Sequence, residues 1–135
     1  MILAADMEQK ARSYLHAARA LSRAAHAEYD ASVYVCGYAV EIALKVRICR
    51  TLGWAGYPET LGEFRLASFK LHDLEALLHL SGVEATLKSD FLLLSSWTVV
   101  RDWNPEQRYQ RLGTKTEADA RAMTVATARI LRFLL

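Results

Sequence analysis

From Asp30 to Gly53 the chain reads DASVYVCGYAVEIALKVRICRTLG, a pattern that predicts a helix with apolar or small residues on nearly every side. Val33, Cys36, Val40, Ala43 and Leu44 recur at spacings of three and four. Tyr34, Tyr38, Ile42, Val46 and Cys49 widen that stripe beyond an ordinary amphipathic face. Such a helix belongs in the middle of a bundle. Asp30 stands where a cap would, and Gly53 where the helix should stop. Glu41 and Lys45 interrupt the apolar surface one turn apart, carboxylate first, the favourable order for an ion pair. They read as an exposed surface pair, as a buried pair whose members neutralise each other, or as a functional pair in a pocket.

The flanking patterns are helical too. Asp6 to about Ala27 places Ala11, Tyr14, Leu15, Ala18, Leu21 and Ala25 on one stripe, with Lys10, Arg12, Arg19 and Arg23 mostly off it. The junction Glu28-Tyr29-Asp30 has neither Gly nor Pro, so the first two helices should be tightly joined antiparallel neighbours. WAGYPETLGEF, after Gly53, reads as a loop. Asp73 is placed to cap a short helix through Leu74, Leu77 and Leu78 that ends at Gly82.

Glu84 to Trp103 predicts one helix through Leu87, Phe91, Leu94, Trp97 and Val100, stopped by Asn104-Pro105. Asn104 to Gly113 is then turn-like and carries Arg108 and Tyr109. Thr116 to Leu135 predicts a last helix, with Thr116 and Asp119 in capping positions and Ala122, Val125, Ala126, Arg129 and Ile130 along it. Nothing alternates with period two over a useful length. The expected fold class is all-α: an antiparallel up-and-down bundle of four main helices plus one short helix, forming a single domain over 1–135.

A chain of 135 residues, 53% hydrophobic, suffices for one proper core and leaves little room for disorder. No apolar run is long enough to span a bilayer, and the first ten residues lack a signal-peptide layout, so no membrane association and a cytoplasmic location are expected. Cys36 and Cys49 stand thirteen positions apart on one predicted helix. That is roughly 20 Å, too far for a disulfide, and both read as small buried hydrophobes.

The net charge of +2 neither demands nor excludes nucleic acid. Its distribution is uneven, because Arg101, Arg108, Arg111 and Lys115 cluster while the acids are scattered; such a cluster is also the composition of a plain solvated face.

There is no HExxH, no CxxC and no glycine-rich phosphate loop, and neither a metal nor a cofactor is expected. His16 and His26 fall nearly opposite each other around the first helix and cannot share a ligand. His72, beside Asp73, reads as part of a helix start. Trp97 to Tyr109 gathers two tryptophans, two arginines and a tyrosine. These residue types hold phosphate and stack on bases, and they equally build loop anchors.

GYAVEIALK (Gly37 to Lys45), KLHDLEALL (Lys70 to Leu78) and WTVVRDWNPEQRY (Trp97 to Tyr109), in that order, resemble the HEPN domain family. The resemblance covers the centre of the chain, and the flanking helices fit in length. It implies a small dimeric helical bundle from a prokaryotic toxin–antitoxin, defence or nucleotidyltransferase-associated system. Its implied partners are a second copy, a nucleotidyltransferase or antitoxin protein, and RNA or nucleotide.

Many members of that family are metal-independent ribonucleases that use an Arg followed a few residues later by a His. The matching Arg is Arg101, yet Asp102 through Arg108 contain no histidine and none follows His79. Arg19 to His26 and Arg65 to His72 repeat the spacing where the family does not place it. The resemblance thus implies a binding module without catalysis, its contact surface formed by Arg101, Arg108 and Tyr109. Glu41 and Lys45 match the polar pair of the second helix and would hold Arg101 in place. The alternative is a ribonuclease in which His72 serves as the base.

Overall fold

The computed structural model describes residues 1–23, 25–58 and 72–135. Among these are six α-helices: α1 (Ala4–Arg23), α2 (Tyr29–Leu52), α3 (Leu74–Leu80), α4 (Glu84–Ser89), α5 (Phe91–Val100) and α6 (Glu117–Leu134). A 3₁₀ turn spans Pro105–Tyr109, and two short strands, β1 (Ile2–Leu3) and β2 (Gly56–Tyr57), pair antiparallel. The protein is an all-α helical bundle with this small β pair at its side.

The widely apolar helix is its axis. Cys36, Ala39, Val40, Ala43, Leu44, Val46, Ile48 and Cys49 of α2 are all fully buried. Helix α1 packs along one side of α2 and α6 along another, while α5 covers α6. Hydrogen bonds fix the directions. Arg50 meets Glu8 near one end of the α1–α2 pair, and Ser32 Oγ donates to the Ala18 carbonyl at 2.7 Å near the other, so the two helices are antiparallel. Helix α6 runs with α2: the Asp30 side chain takes the Lys115 N–H at one end, and Arg47 donates twice to the Leu134 carbonyl at the other. Arg50 adds a bond to the Leu135 carbonyl, so α2 satisfies carbonyls that the end of α6 leaves open.

Local chemistry sets most boundaries. Asp73 accepts from the N–H groups of Glu75 and Ala76 and starts α3. Thr116 and Asp119 cap each other's backbone at the start of α6 in a complete capping box. Gly53 closes α2 in the left-handed conformation at φ 69°.

Four expectations are corrected. Asp30 does not cap α2; it lies in the first turn, and Glu28 precedes the helix without a side-chain cap. Helix α1 ends at Arg23, and the chain turns through Ala25 and His26. The helix expected over Glu84 to Trp103 is two, because Asp90 is extended and its side chain accepts the Leu93 N–H, opening α5 afresh. The β1–β2 pair is too short to leave a period-two signature. Arg65, Phe64 and the rest of the loop expected after Pro58 lie outside the described residues.

The bundle's end is closed by Trp103, which is 4% exposed and packs on Tyr34 and Tyr38. A Cβ on Gly37 would stand 2.1 Å from the indole ring, so only glycine lets this ring lie on the backbone of α2. Gly37→Ala should therefore cost about 2 kcal/mol of stability by overpacking. Urea unfolding with an unchanged midpoint would show that the ring does not depend on this approach.

Candidate functional site

Tyr34, Tyr38, Glu41 and Lys45 stand four, three and four residues apart, the spacing of a single face of α2. Two groups of candidate residues lie along this face.

The first is a polar node inside the bundle wall. The Glu41 side chain is 4% exposed, and its Oε1 accepts from Lys45 Nζ at 2.9 Å and lies 2.7 Å from His72 Nδ1. Oε2 is buried with no hydrogen-bond partner among the described residues. The exposed-pair reading of Glu41 and Lys45 is thereby excluded.

Beside the carboxylate, Lys45 Nζ sits 5.2 Å from the centre of the Tyr57 ring, a cation–π contact that shields its charge from the apolar surroundings. Burial pushes the Tyr57 hydroxyl up to about 12, with smaller contributions from Cys49 and Glu41. His72 directly precedes the Asp73 cap of α3, so the start of that helix aims its ring at α2. A carboxylate only accepts, hence Nδ1 carries the hydrogen and Nε2 is the nitrogen left for other partners. The His72 side chain is 56% exposed.

The second group lies where α2 begins. Tyr34 meets Tyr38 edge-on at 5.1 Å, and Tyr38 meets Trp103 at 4.9 Å. The Tyr34 hydroxyl is 3.2 Å from that of Tyr38; this bond, and burial after it, push Tyr38 up to about 12. The 3₁₀ turn then carries Arg108, whose Nη1 donates to the Pro105 carbonyl at 3.0 Å and whose guanidinium lies 4.6 Å from the centre of the exposed Tyr109 ring. Hydrogen bonding with Tyr109 and then Tyr34 holds Arg108 even more firmly protonated than usual.

A cleft of about 220 Å³ opens here, between Tyr34 and Ala31 of α2 and Gln107, Arg108, Leu112 and Lys115. Asp30 also lines it, but its two oxygens accept the Gly113 and Lys115 N–H groups at 2.9 and 3.0 Å. Among the described residues, no carboxylate lies within ion-pairing distance of Arg108, Arg111 or Lys115. With Arg108 and Lys115 against Asp30 the cleft is net cationic, and Tyr34 is its one aromatic lining residue among those described.

Glu41, Lys45 and His72 are thus brought together, and so are Arg108 and Tyr109. Arg101 joins neither group. It is the exposed cap residue of α5, and its nearest acid is Asp102 at 3.9 Å. The expected role of Glu41 and Lys45 in holding Arg101 is corrected: Trp103 takes the inward position against Gly37, which leaves Arg101 and Asp102 facing outward. Trp97 is a core anchor, 1% exposed, with Nε1 donating to Glu75 at 2.8 Å. The sequence pattern does not single out Tyr34 and Tyr57 as site residues; for Tyr34 the ladder of Tyr34, Tyr38, Glu41 and Lys45 is the available signal, and Lys115 is visible as part of the basic cluster.

Among the described residues no three His, Cys, Asp or Glu side chains converge as a metal site, and no helix is long and apolar enough to cross a membrane. Comparison with known proteins finds no matching family model, curated protein or solved structure.

Because Glu41 is buried, removing its cation should be costly. Lys45→Met is expected to lose about 3 kcal/mol, and Glu41→Met combined with Lys45→Met to regain most of it. A urea double-mutant cycle measures this; a coupling well under about 1 kcal/mol would mark the pair as energetically superficial.

Proposed function

We propose that the protein is a HEPN-like helical module that binds a nucleotide or an RNA strand through its phosphate backbone, with no chemistry of its own. The observation that carries this reading is the cleft beside Tyr34, where Arg108 and Lys115 lack carboxylate partners next to exposed aromatic surface. Arginine recognises phosphate bidentately, and an exposed Tyr109 offers a stacking face that tolerates any base. A system containing a nucleotidyltransferase or antitoxin partner is the setting that the resemblance suggests.

Dimerisation belongs to the same reading. Ser95 and Val99 of α5 and Ala118, Ala122 and Val125 of α6 flank an apolar groove of about 400 Å³. Phe91 and Leu92, at the start of α5, are 81% and 56% exposed. Two such faces meeting would remove apolar surface that a monomer leaves in water.

One observation favours a second reading, a metal-independent ribonuclease. The His72 ring is oriented by a buried carboxylate through Nδ1, the arrangement that prepares Nε2 to take a proton from a 2′-hydroxyl.

Arg108→Ala with Lys115→Ala should weaken binding of a labelled oligoribonucleotide at least tenfold and flatten its salt dependence by one to two contacts, about 0.7 in log–log slope for each. Unchanged affinity would remove this cleft from consideration. Cleavage of RNA in EDTA that disappears in His72→Ala would instead establish the ribonuclease reading. Val125→Glu should shift a dimer to monomer in light scattering after size exclusion, and a wild-type monomer at high concentration would remove the dimer.

A further inference from the structure

A second cleft lies between the end of α1 and the beginning of α6. It encloses about 270 Å³ and is lined by Arg19, Ser22, Arg23, Glu117, Arg121 and Thr124. Three guanidinium groups thus converge on a space holding one carboxylate. That carboxylate is engaged: Arg121 Nη2 donates to Glu117 Oε1 at 3.0 Å. Arg19 and Arg23, one turn apart on α1, have no acid within ion-pairing distance among the described residues.

Like charges four residues apart on a helix repel. Cations in the last turn of α1 do complement its dipole, and Arg23 Nε indeed donates to the Arg19 carbonyl at 3.2 Å. This accounts for Arg23, and Glu117 accounts for Arg121, but the Arg19 guanidinium has no such partner among the described residues.

The remaining wall narrows the ligand class. Ser22 Oγ donates to the Arg19 carbonyl at 3.0 Å and Thr124 Oγ1 to the Arg121 carbonyl at 3.0 Å, so neither hydroxyl has a proton to spare. The guanidinium N–H groups are the donors that remain. No aromatic or large apolar side chain lines the space, so nothing there would stack on a base. The recognisable part of a ligand is its oxyanion.

We infer that this cleft is a phosphate site, separate from the cleft beside Tyr34, that takes a multiply charged phosphate group between Arg19, Arg23 and Arg121. Such a group would be gripped by forked N–H donors and would relieve the repulsion between α1's two arginines. Its source is either a free diphosphate or the 5′-phosphate terminus of an RNA strand, which present the same chemistry.

Titration of the full chain with inorganic pyrophosphate, and separately with one oligoribonucleotide bearing either a 5′-phosphate or a 5′-hydroxyl, tests this by calorimetry at low and moderate salt. Arg19→Ala and Arg23→Ala should each weaken the bound probe at least tenfold. Arg132→Ala removes the same charge from an exposed position on α6 outside the cleft and should leave affinity unchanged. Arg19, Arg23 and Arg132 are all exposed, as is Arg121, and circular dichroism checks that the variants fold.

Pyrophosphate binding assigns the site to a free diphosphate. Preference for the 5′-phosphorylated strand, lost in Arg19→Ala, assigns it to an RNA end. Binding of neither probe, or equal losses in Arg19→Ala and Arg132→Ala, would overturn the inference. In a protein already carrying Arg108→Ala and Lys115→Ala, Arg19→Ala should still weaken pyrophosphate at least tenfold, so the two clefts can fail independently.

Discussion

The candidate site depends on one close approach. With no side chain at Gly37, the Trp103 indole lies on the backbone of α2, and this contact seats the polypeptide that follows α5. The consequences run in both directions along the chain. Arg101 and Asp102 are turned outward, while the 3₁₀ turn is brought to Tyr34, with the Tyr34 hydroxyl 3.5 Å from the Pro105 carbonyl. Arg108 owes its position beside Ala31 and Tyr34 of α2 to this arrangement. Any larger residue at position 37 would push away the wall of the cleft.

The charge inside the bundle is held by a different balance. A carboxylate at 3% residue exposure is costly unless partners reach it, and α2 supplies the Lys45 ammonium while the start of α3 supplies the His72 ring nitrogen. Lys45 is itself sheltered against Tyr57, which belongs to the strand paired with β1. One polar node thus joins α2, the α3 start and the small β pair. A carboxylate oxygen without a partner among the described residues and a half-exposed imidazole are the features that separate it from an ordinary buried ion pair.

Much of the fold was legible because its signals are local. The wide apolar stripe identified α2 as the axis, and Asp73 and the Thr116–Asp119 pair announced their helices, since a capping side chain acts within three residues of itself. Glu41 and Lys45, one turn apart, were visible for the same reason. What was not visible depends on distant contacts. Asp30 looked like a cap because its real partners are backbone groups at Gly113 and Lys115; His72 looked like part of a helix start because Glu41 is 31 residues away. The break at Asp90 was hidden by an apolar pattern that continues across it, and the β pair by its two-residue length. Arg101 was set beside Glu41 and Lys45 by the family resemblance, whereas the ring of Trp103 takes the inward position against Gly37.

The double bond of Asp30 to the Gly113 and Lys115 amides has a consequence for affinity. A cationic loop left free would have to surrender its motion whenever a ligand arrived, and that loss would be subtracted from every contact made. Here the immobilisation is completed during folding by a carboxylate on the most deeply packed helix. In the proposed binding, the backbone of Lys115 would already be in position when an anion arrives, so selectivity would rest on shape as well as on charge.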